Sequence, residues 1–253
     1  MGYASNNSIG AGPSGLVAAK CFLHDAPPGR FRVTIFDAQP RIGGLWPARP
    51  DDGAGLLHPL MVANQSKHTV QFSDLAWMPG APEFPRAWQV GQYLERYLKR
   101  YCSEAELKLG TRVETAKQVT SLGGDVRWQV QTKSEDGGMQ ETEFDYLVVA
   151  SGYFGKAALP SLEGGNTDVP IIHSSAYRDL ESLLSRADGR GGKILVVGGQ
   201  MSGVEIAGTI ASHLSSAVNS PGPSKIQYPE KYTLHHIIQR PIWVFPFHTS
   251  PKV

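Results

Sequence analysis

The sequence predicts an α/β protein with two Rossmann-like, three-layer dinucleotide-binding domains and a small β-hairpin element. Two glycine-rich loops, Gly10–Gly15 and Gly198–Gly203, support this prediction, because such a loop between a strand and a helix binds pyrophosphate. The third observation is that a segment with helical apolar periodicity follows each loop. A chain that binds two dinucleotides usually passes a hydride from one to the other.

Composition excludes several classes of partner and fold. The 253 residues are 41% hydrophobic and 19% charged, which is ordinary for one or two folded domains. A formal net charge of +1 gives no reason to expect nucleic acid or a membrane surface as partner, and no apolar run reaches the roughly 20 residues of a transmembrane segment. The two distant cysteines, Cys21 and Cys102, argue against a disulfide scaffold and predict a cytoplasmic protein.

The elements of the first half are read from periodicity and turn residues. Ser14–His24 and Arg86–Cys102 have helical apolar faces, and Phe31–Phe36 alternates as a strand does. Arg112–Thr120 and Val126–Thr132 predict a hairpin, since Gly123 and Gly124 separate them.

The second half continues the strand and helix alternation. Phe144–Ala150 and Lys193–Val197 read as buried strands, a helix extends to about Ser216, and Leu234–Gln239 is the last strand. We therefore expect an FAD-type domain over residues 1–158 and part of a second dinucleotide domain over 159–253.

The first loop has the spacing of a pyrophosphate site. Gly10 allows the tight turn, Gly12 lets the backbone approach the phosphates, and Gly15 lets the helix pack on the sheet. Ala11, Pro13 and Ser14 complete this predicted cofactor-binding loop. Asp37 follows the next strand, about 20 residues beyond the loop, where an acid accepts the ribose hydroxyls.

The strand before Gly10 conflicts with this pattern. Its sequence, Ser5-Asn6-Asn7-Ser8-Ile9, is polar where a central strand should be apolar. Each polar group buried there without a partner costs about 1–3 kcal/mol. We therefore expect an altered N-terminus or a short first strand.

Several motifs recur in a fixed order along nearly the whole chain. They are the first glycine loop, Gly43-Gly44-Leu45-Trp46, the Asn64 segment, Phe84-Pro85 with Tyr93-Leu94, Val148–Tyr153, His173-Ser174 with Tyr177, and the second glycine loop. In this order they resemble the flavin-containing monooxygenases, the single-component class that uses FAD and NADPH.

The resemblance implies a chemistry and a set of site residues. In that family NADPH reduces the flavin, a flavin peroxide forms with O2, and one oxygen atom passes to a small-molecule substrate with a soft nitrogen or sulfur. Asn64 matches the active-site Asn of the family and is the expected catalytic residue. Other expected cofactor contacts are Gly44, Leu45, Trp46 and Gln65. Ser151, which follows the predicted strand Phe144–Ala150, is a further expected contact. A role in secondary metabolism would suit such an enzyme.

The second loop is the expected NADP site. It comprises Gly198, Gly199, Gln200, Met201, Ser202 and Gly203. Gln200 replaces the second glycine, and its side chain would crowd the phosphates unless it turns outward. Arg240 stands where the family places an Arg for the 2′-phosphate of NADP. The other histidines, including His235 and His236, are expected to be surface or packing residues with no metal site.

Two alternatives stay open. The chain stops shortly after Arg240, where the family continues, so we expect a shortened chain that self-associates through an unfinished sheet. It could then be a catalytically impaired, truncated nucleotide-binding remnant. It could also be another NADPH-linked flavin oxidoreductase, such as a disulfide reductase, although a Cys-x-x-Cys pair is missing.

Overall fold

The computed structural model describes residues 4–52, 56–57, 61–120, 124–161, 169–185 and 190–240. The chain divides into two compact units, Met1–Gly155 and Lys156–Val253. Each unit has its own sheet and its own buried core.

The first unit is built on a four-stranded parallel sheet. Its strands are β1 (Ala4–Ile9), β2 (Phe31–Phe36), β3 (Glu106–Lys108) and β7 (Tyr146–Val149), in the order β3-β2-β1-β7. Parallel strands joined by helices are the Rossmann-like arrangement, so the predicted fold class is confirmed.

The expectation of a short first strand is wrong, because β1 has six residues and pairs along its length with β2. An altered N-terminus stays a prediction. Ser5 meets its polar requirement through Asp145, whose Oδ2 accepts the Ser5 N–H at 2.6 Å and the Ser5 hydroxyl at 2.7 Å. Ser8 is buried, and its Oγ has no hydrogen-bond partner among the described residues. The polar strand therefore forms, and the unpaired Ser8 hydroxyl lowers the stability of the fold.

Two helices pack on this sheet. Helix α1 (Pro13–Lys20) leads into a π-helical turn, Cys21–Asp25. The helix and the turn together cover the predicted Ser14–His24 helix. Helix α2 (Ala87–Tyr101) buries Val90, Leu94 and Tyr97, as its periodicity predicts. Leu94 and Tyr97 join Leu16 of α1 and Ile35 of β2 in one apolar core.

The predicted hairpin forms and gains a third strand. Strands β4 (Thr111–Thr120), β5 (Val126–Ser134) and β6 (Met139–Phe144) make an antiparallel sheet in the order β4-β5-β6. Phe144 therefore ends β6, and Asp145 separates it from β7, so Phe144–Ala150 is not one strand. The prediction that this strand is buried is also wrong: in the described sheet β7 is an edge strand, and Val149 is 67% exposed.

The second unit contains helices α3 (Leu180–Leu184) and α4 (Met201–Asn219) and two parallel strands, β8 (Gly192–Val197) and β9 (Tyr232–Ile237). Ile194, Val196 and Leu234 pack against the α4 side. Leu195, Val197 and Ile237 point to the other face and are more than half exposed. The prediction of a buried β8 thus holds for one face only, since no described element covers the other, and self-association through this sheet stays a prediction.

Within the described ranges, every helix is too short or too polar to cross a membrane.

Candidate functional site

Three strands of the first unit end at the same level and bring the predicted site residues together. Ile9 at the end of β1 pairs with Phe36 of β2 on one side and with Val149 of β7 on the other. The next residues, Gly10, Asp37 and Ala150, therefore meet at the carboxyl edge of the sheet, where parallel α/β folds bind their ligands.

Close packing at the first glycine loop requires glycine at both of its ends. Gly10 has a φ of +107°, and a Cβ there would overlap the carbonyl oxygen of Ala150. A Cβ on Gly15 would overlap the carbonyl oxygen of Gly10. The Gly10 N–H donates to the Phe36 carbonyl at 2.7 Å. The loop is therefore fixed between β1, β2 and the first turn of α1.

Asp37 braces this loop through its carboxylate. Its Oδ2 accepts the Ala11 N–H at 2.7 Å, and its Oδ1 accepts the Gln39 N–H at 2.8 Å. Each carboxylate oxygen can accept a further hydrogen bond. The predicted contact of Asp37 with a ribose is compatible with this arrangement.

The Gly43–Trp46 turn lies against the glycine loop. The Gly43 N–H donates to the Ala11 carbonyl at 2.9 Å, and a Cβ on Gly44 would come within 3.2 Å of the Gly12 Cα. Leu45 is half-buried, and Trp46 packs on the edge of the core. Gly12 and Gly44 thus form a floor without side chains, which a pyrophosphate can approach closely.

Arg41 holds this turn in place, a role that the sequence did not reveal. Its Nη1 donates to the carbonyls of Ile42, Gly44 and Trp46 at 3.2, 3.1 and 3.0 Å. Its Nε pairs with Asp52 at 2.8 Å. Its buried Nη2 has no acceptor among the described residues. Every residue has a backbone carbonyl, so no pattern of side chains in the sequence predicts these hydrogen bonds. The adjacent Gly43-Gly44 pair was the one sign of a tight turn beside Arg41.

Ser151, Asn64 and Gln65 occupy different parts of the same unit. Ser151 follows Ala150 and lies beside Gly10, with its backbone nitrogen 3.3 Å from where a Gly10 Cβ would be. Asn64 and Gln65 are exposed in a bend next to Ala63, whose N–H donates to the Pro85 carbonyl just before α2. The structure therefore joins Ser151 to the glycine loop and anchors the Asn64 segment at the start of α2.

The second glycine loop repeats the geometry of the first. Gly198 has a φ of +127°, and its N–H donates to the Ile237 carbonyl of the neighbouring strand at 2.9 Å. A Cβ on Gly203 would overlap the Gly198 carbonyl oxygen, as one on Gly15 would overlap Gly10. Met201 and Ser202, in the first turn of α4, are exposed.

Gln200 fits its position without backbone strain. It is the residue before α4, with φ and ψ of −79° and 176°, and Gly12 before α1 has −78° and −176°. The two backbones are thus nearly the same, and Gln200 is exposed. A Cβ on Gly12 would lie 3.6 Å from the Gly44 Cα, an ordinary van der Waals contact, so neither the backbone angle nor the packing of the chain itself requires glycine at this place.

The starts of α1 and α4 are similar in one further respect. Neither Gly12 nor Gln200 makes a side-chain capping bond to its helix. The N–H groups of a first helical turn and the helix dipole favour an anion at such a place. Arg240 is exposed three residues beyond β9, at the same edge as Gly198, since β8 and β9 are parallel and end in register at Val197 and Ile237.

The described part of the chain contains no group of three or more His, Cys, Asp or Glu side chains that could hold a metal ion. The buried thiol of Cys102 is screened from water, which raises its pKa to about 11. Such a thiol stays protonated and is a poor nucleophile near neutral pH.

Comparison with known proteins assigns a family to this geometry. The family model described as "FMO-like: Flavin-binding monooxygenase-like" matches residues 6–220, a range that includes both glycine loops. The "Thiol-specific monooxygenase" of Saccharomyces cerevisiae is 26% identical over 231 residues, which are 87% of this chain and 50% of that protein. "Monooxygenase ptmN" of Penicillium ochrochloron is 30% identical over 202 residues, 79% of this chain and 31% of its own.

A solved structure shows the same fold. The S-allyl-L-cysteine S-oxygenase from Allium sativum superposes with a TM-score of 0.65 at 21% identity, over 99% of this chain and 65% of its own. The chain spans half or less of the length of the two curated relatives. The resemblance read from the motif order is thereby confirmed, and the predicted flavin cofactor is confirmed at the level of the family.

Proposed function

This chain belongs to the flavin-binding monooxygenase-like family, and we propose that it is an FAD- and NADPH-dependent monooxygenase acting on a small molecule. The observation that carries the proposal is the pair of equivalent loops, Gly10–Gly15 and Gly198–Gly203, each fixed between two parallel strands and a helix start. A family whose flavin is reduced by a nicotinamide needs two such sites.

The first unit would hold FAD. The donors at the start of α1 and the bare floor of Gly12 and Gly44 suit its pyrophosphate, and Asp37 suits a ribose. The Arg41 guanidinium lies close to this floor; it pairs with Asp52, and its Nη2 has no acceptor among the described residues. The residues present therefore fit the cofactor that the family implies.

The second unit would hold NADP. The start of α4 suits the pyrophosphate, and Gln200 leaves room because its side chain is exposed. Arg240 suits the 2′-phosphate, because a guanidinium pairs with phosphate through two parallel hydrogen bonds.

The cofactors would supply the redox chemistry, and the chain would supply position. The overall reaction would consume NADPH, a proton and O2, place one oxygen atom on the substrate and release the other as water. Asn64 would orient polar groups of the cofactors, since its amide both donates and accepts hydrogen bonds. A general base is not required for this work.

We further propose a soft sulfur or nitrogen atom as the site of oxygenation, with sulfur first. The yeast relative is a thiol-specific monooxygenase by name, and the match to it covers most of this chain. A secondary-metabolite intermediate is the wider alternative for the substrate.

The purified chain tests the proposal directly. We expect a yellow protein whose flavin absorbance is bleached by NADPH without air and returns with air. In air, a small thiol or a tertiary amine should raise NADPH consumption and yield an oxygenated product by mass spectrometry. A colourless protein that leaves NADPH untouched, even after incubation with FAD, would contradict the proposal and favour a nucleotide-binding remnant. NADPH oxidation without an oxygenated product would favour another flavin oxidoreductase.

A further inference from the structure

His236 lies on the side of β9 that faces helix α4. In the parallel β8–β9 pair, Leu234 is opposite Ile194 and His236 is opposite Val196. Ile194, Val196 and Leu234 all pack toward α4. Because side chains alternate along a strand, His236 takes the next place on that face, and His235 takes the opposite one.

From this place the His236 ring reaches the second glycine loop. Its Nε2 lies 2.7 Å from the carbonyl oxygen of Gly198. A carbonyl can only accept a hydrogen bond, so Nε2 is the nitrogen that bears the proton. The contact therefore defines the tautomer of the ring.

Gly198 is consequently bonded to β9 through both of its backbone groups. Its N–H donates to the Ile237 carbonyl at 2.9 Å, while its carbonyl accepts from His236. The same carbonyl lies against Gly203 in the first turn of α4, where a Cβ would overlap it. Its position thus fixes how the loop enters the helix.

The first loop is braced by a different group at the next residue. There the Asp37 carboxylate accepts the N–H of Ala11, which follows Gly10. In the second loop, the side chain of β9 donates to the carbonyl of the first glycine instead. A cationic or neutral donor next to a phosphate site avoids the repulsion that a second carboxylate would bring.

We propose that His236 is a positioning residue for NADP, acting through the Gly198 carbonyl. This inference rests on the proposed function, since it needs NADP in the second loop. By fixing Gly198, the ring keeps the N–H groups at the start of α4 directed toward the pyrophosphate. Loss of the ring lowers the affinity for NADP and leaves the FAD site intact.

Substitutions of adjacent histidines separate this role from a general effect on the sheet. H236L removes the donor, H236Q puts an amide nitrogen at the distance of Nε2, and H236N gives a donor that is too short. H235L is the matched control, because His235 is exposed like His236 but lies on the opposite face. Calorimetric titration of each full chain with NADP+ should show Kd raised about threefold to tenfold in H236L and H236N. H236Q should approach the wild-type value, H235L should equal it, and the FAD content of all four should match the wild type.

Nuclear magnetic resonance of the histidine nitrogens gives a second readout. Long-range proton–nitrogen spectra of the wild-type chain near pH 8 should show His236 as the Nε2–H tautomer before NADP+ is added. A dominant Nδ1–H tautomer would overturn the inference.

The remaining outcomes separate the inference from the proposed function. Wild-type affinity in H236L, or an equal loss in H236L and H235L, would overturn the role of His236 and leave the proposed function in place. A wild-type chain that does not bind NADP+ would overturn both.

Discussion

The carboxylate of Asp37 accepts the backbone N–H of Ala11 at 2.7 Å. The acid after β2 is therefore bonded to the glycine loop itself, in addition to any contact that it makes with a ribose. Its second oxygen accepts the N–H of Gln39, and Gln39 begins the segment that runs to the Gly43–Trp46 turn. One side chain thus couples the two segments that we assign to FAD.

Replacing Asp37 should weaken FAD binding. In D37N one of the two backbone N–H groups would face the side-chain NH2 group, which cannot accept a hydrogen bond. In D37A both N–H groups would lose their acceptor. Because bonds to a charged group are worth about 1.5–3 kcal/mol, we expect the Kd for FAD to rise about tenfold or more. Flavin content after gel filtration and titration of the apoprotein measure this. E104Q is the control, since Glu104 is exposed on another turn; equal flavin content in D37A and E104Q would contradict the role of Asp37.

The loops could be predicted from sequence because their glycines are required locally. A side chain at Gly15 would overlap the carbonyl oxygen of Gly10, and one at Gly203 would overlap that of Gly198, in each case five residues earlier. Spacing along the chain therefore carries the information, and the short range makes it readable.

The errors arose where the environment comes from distant residues. Strand β1 looked too polar, but Asp145 provides the acceptor for Ser5 from the far end of the same unit. Strands β7 and β8 looked buried because they are apolar, yet each has a face or an edge that no described element covers. Arg41 and His236 were missed because both donate to backbone carbonyls, which any residue type supplies.

A methyl group at Gly203 should damage the second loop. In G203A the added Cβ would overlap the Gly198 carbonyl oxygen, so the loop or α4 must shift. We expect NADP+ affinity to fall at least tenfold, with FAD binding unchanged. Gly208 lies in the same helix with open space around it, so G208A should keep NADP+ affinity and stabilise the helix by about 0.5–1 kcal/mol. Similar NADP+ affinities for the two variants would argue against a tight second loop.

Arg41 should support both the fold of the first unit and its flavin. R41M removes the three bonds to the turn and the pair with Asp52, and we expect a loss of about 2 kcal/mol in unfolding free energy. R41K keeps the charge but not the planar fork of donors, so it should recover only part of the FAD affinity. Chemical denaturation followed at Trp fluorescence and titration with FAD give the two quantities. If R41K matched the wild type in both, charge alone would explain the role of Arg41.

The bond between β1 and Asp145 should make the stability of the first unit depend on pH. Hydrogen bonds from Ser5 and the neighbouring Arg127 hold the pKa of the Asp145 carboxyl below its ordinary value. A lowered folded-state pKa stabilises the fold at pH values above the unfolded value of about 3.9, and the contribution is lost as the pH falls through the folded value. We therefore expect D145N to be less stable than the wild type by about 1–2 kcal/mol at pH 7, with the difference shrinking below about pH 4. Urea unfolding at several pH values measures this difference.

E143Q is the control for D145N. It removes an exposed partner of Arg127 that lies 3.6 Å away and should change stability little at any pH. A D145N difference that stayed constant down to pH 3 would show that packing, and not the ionised carboxylate, supports β1.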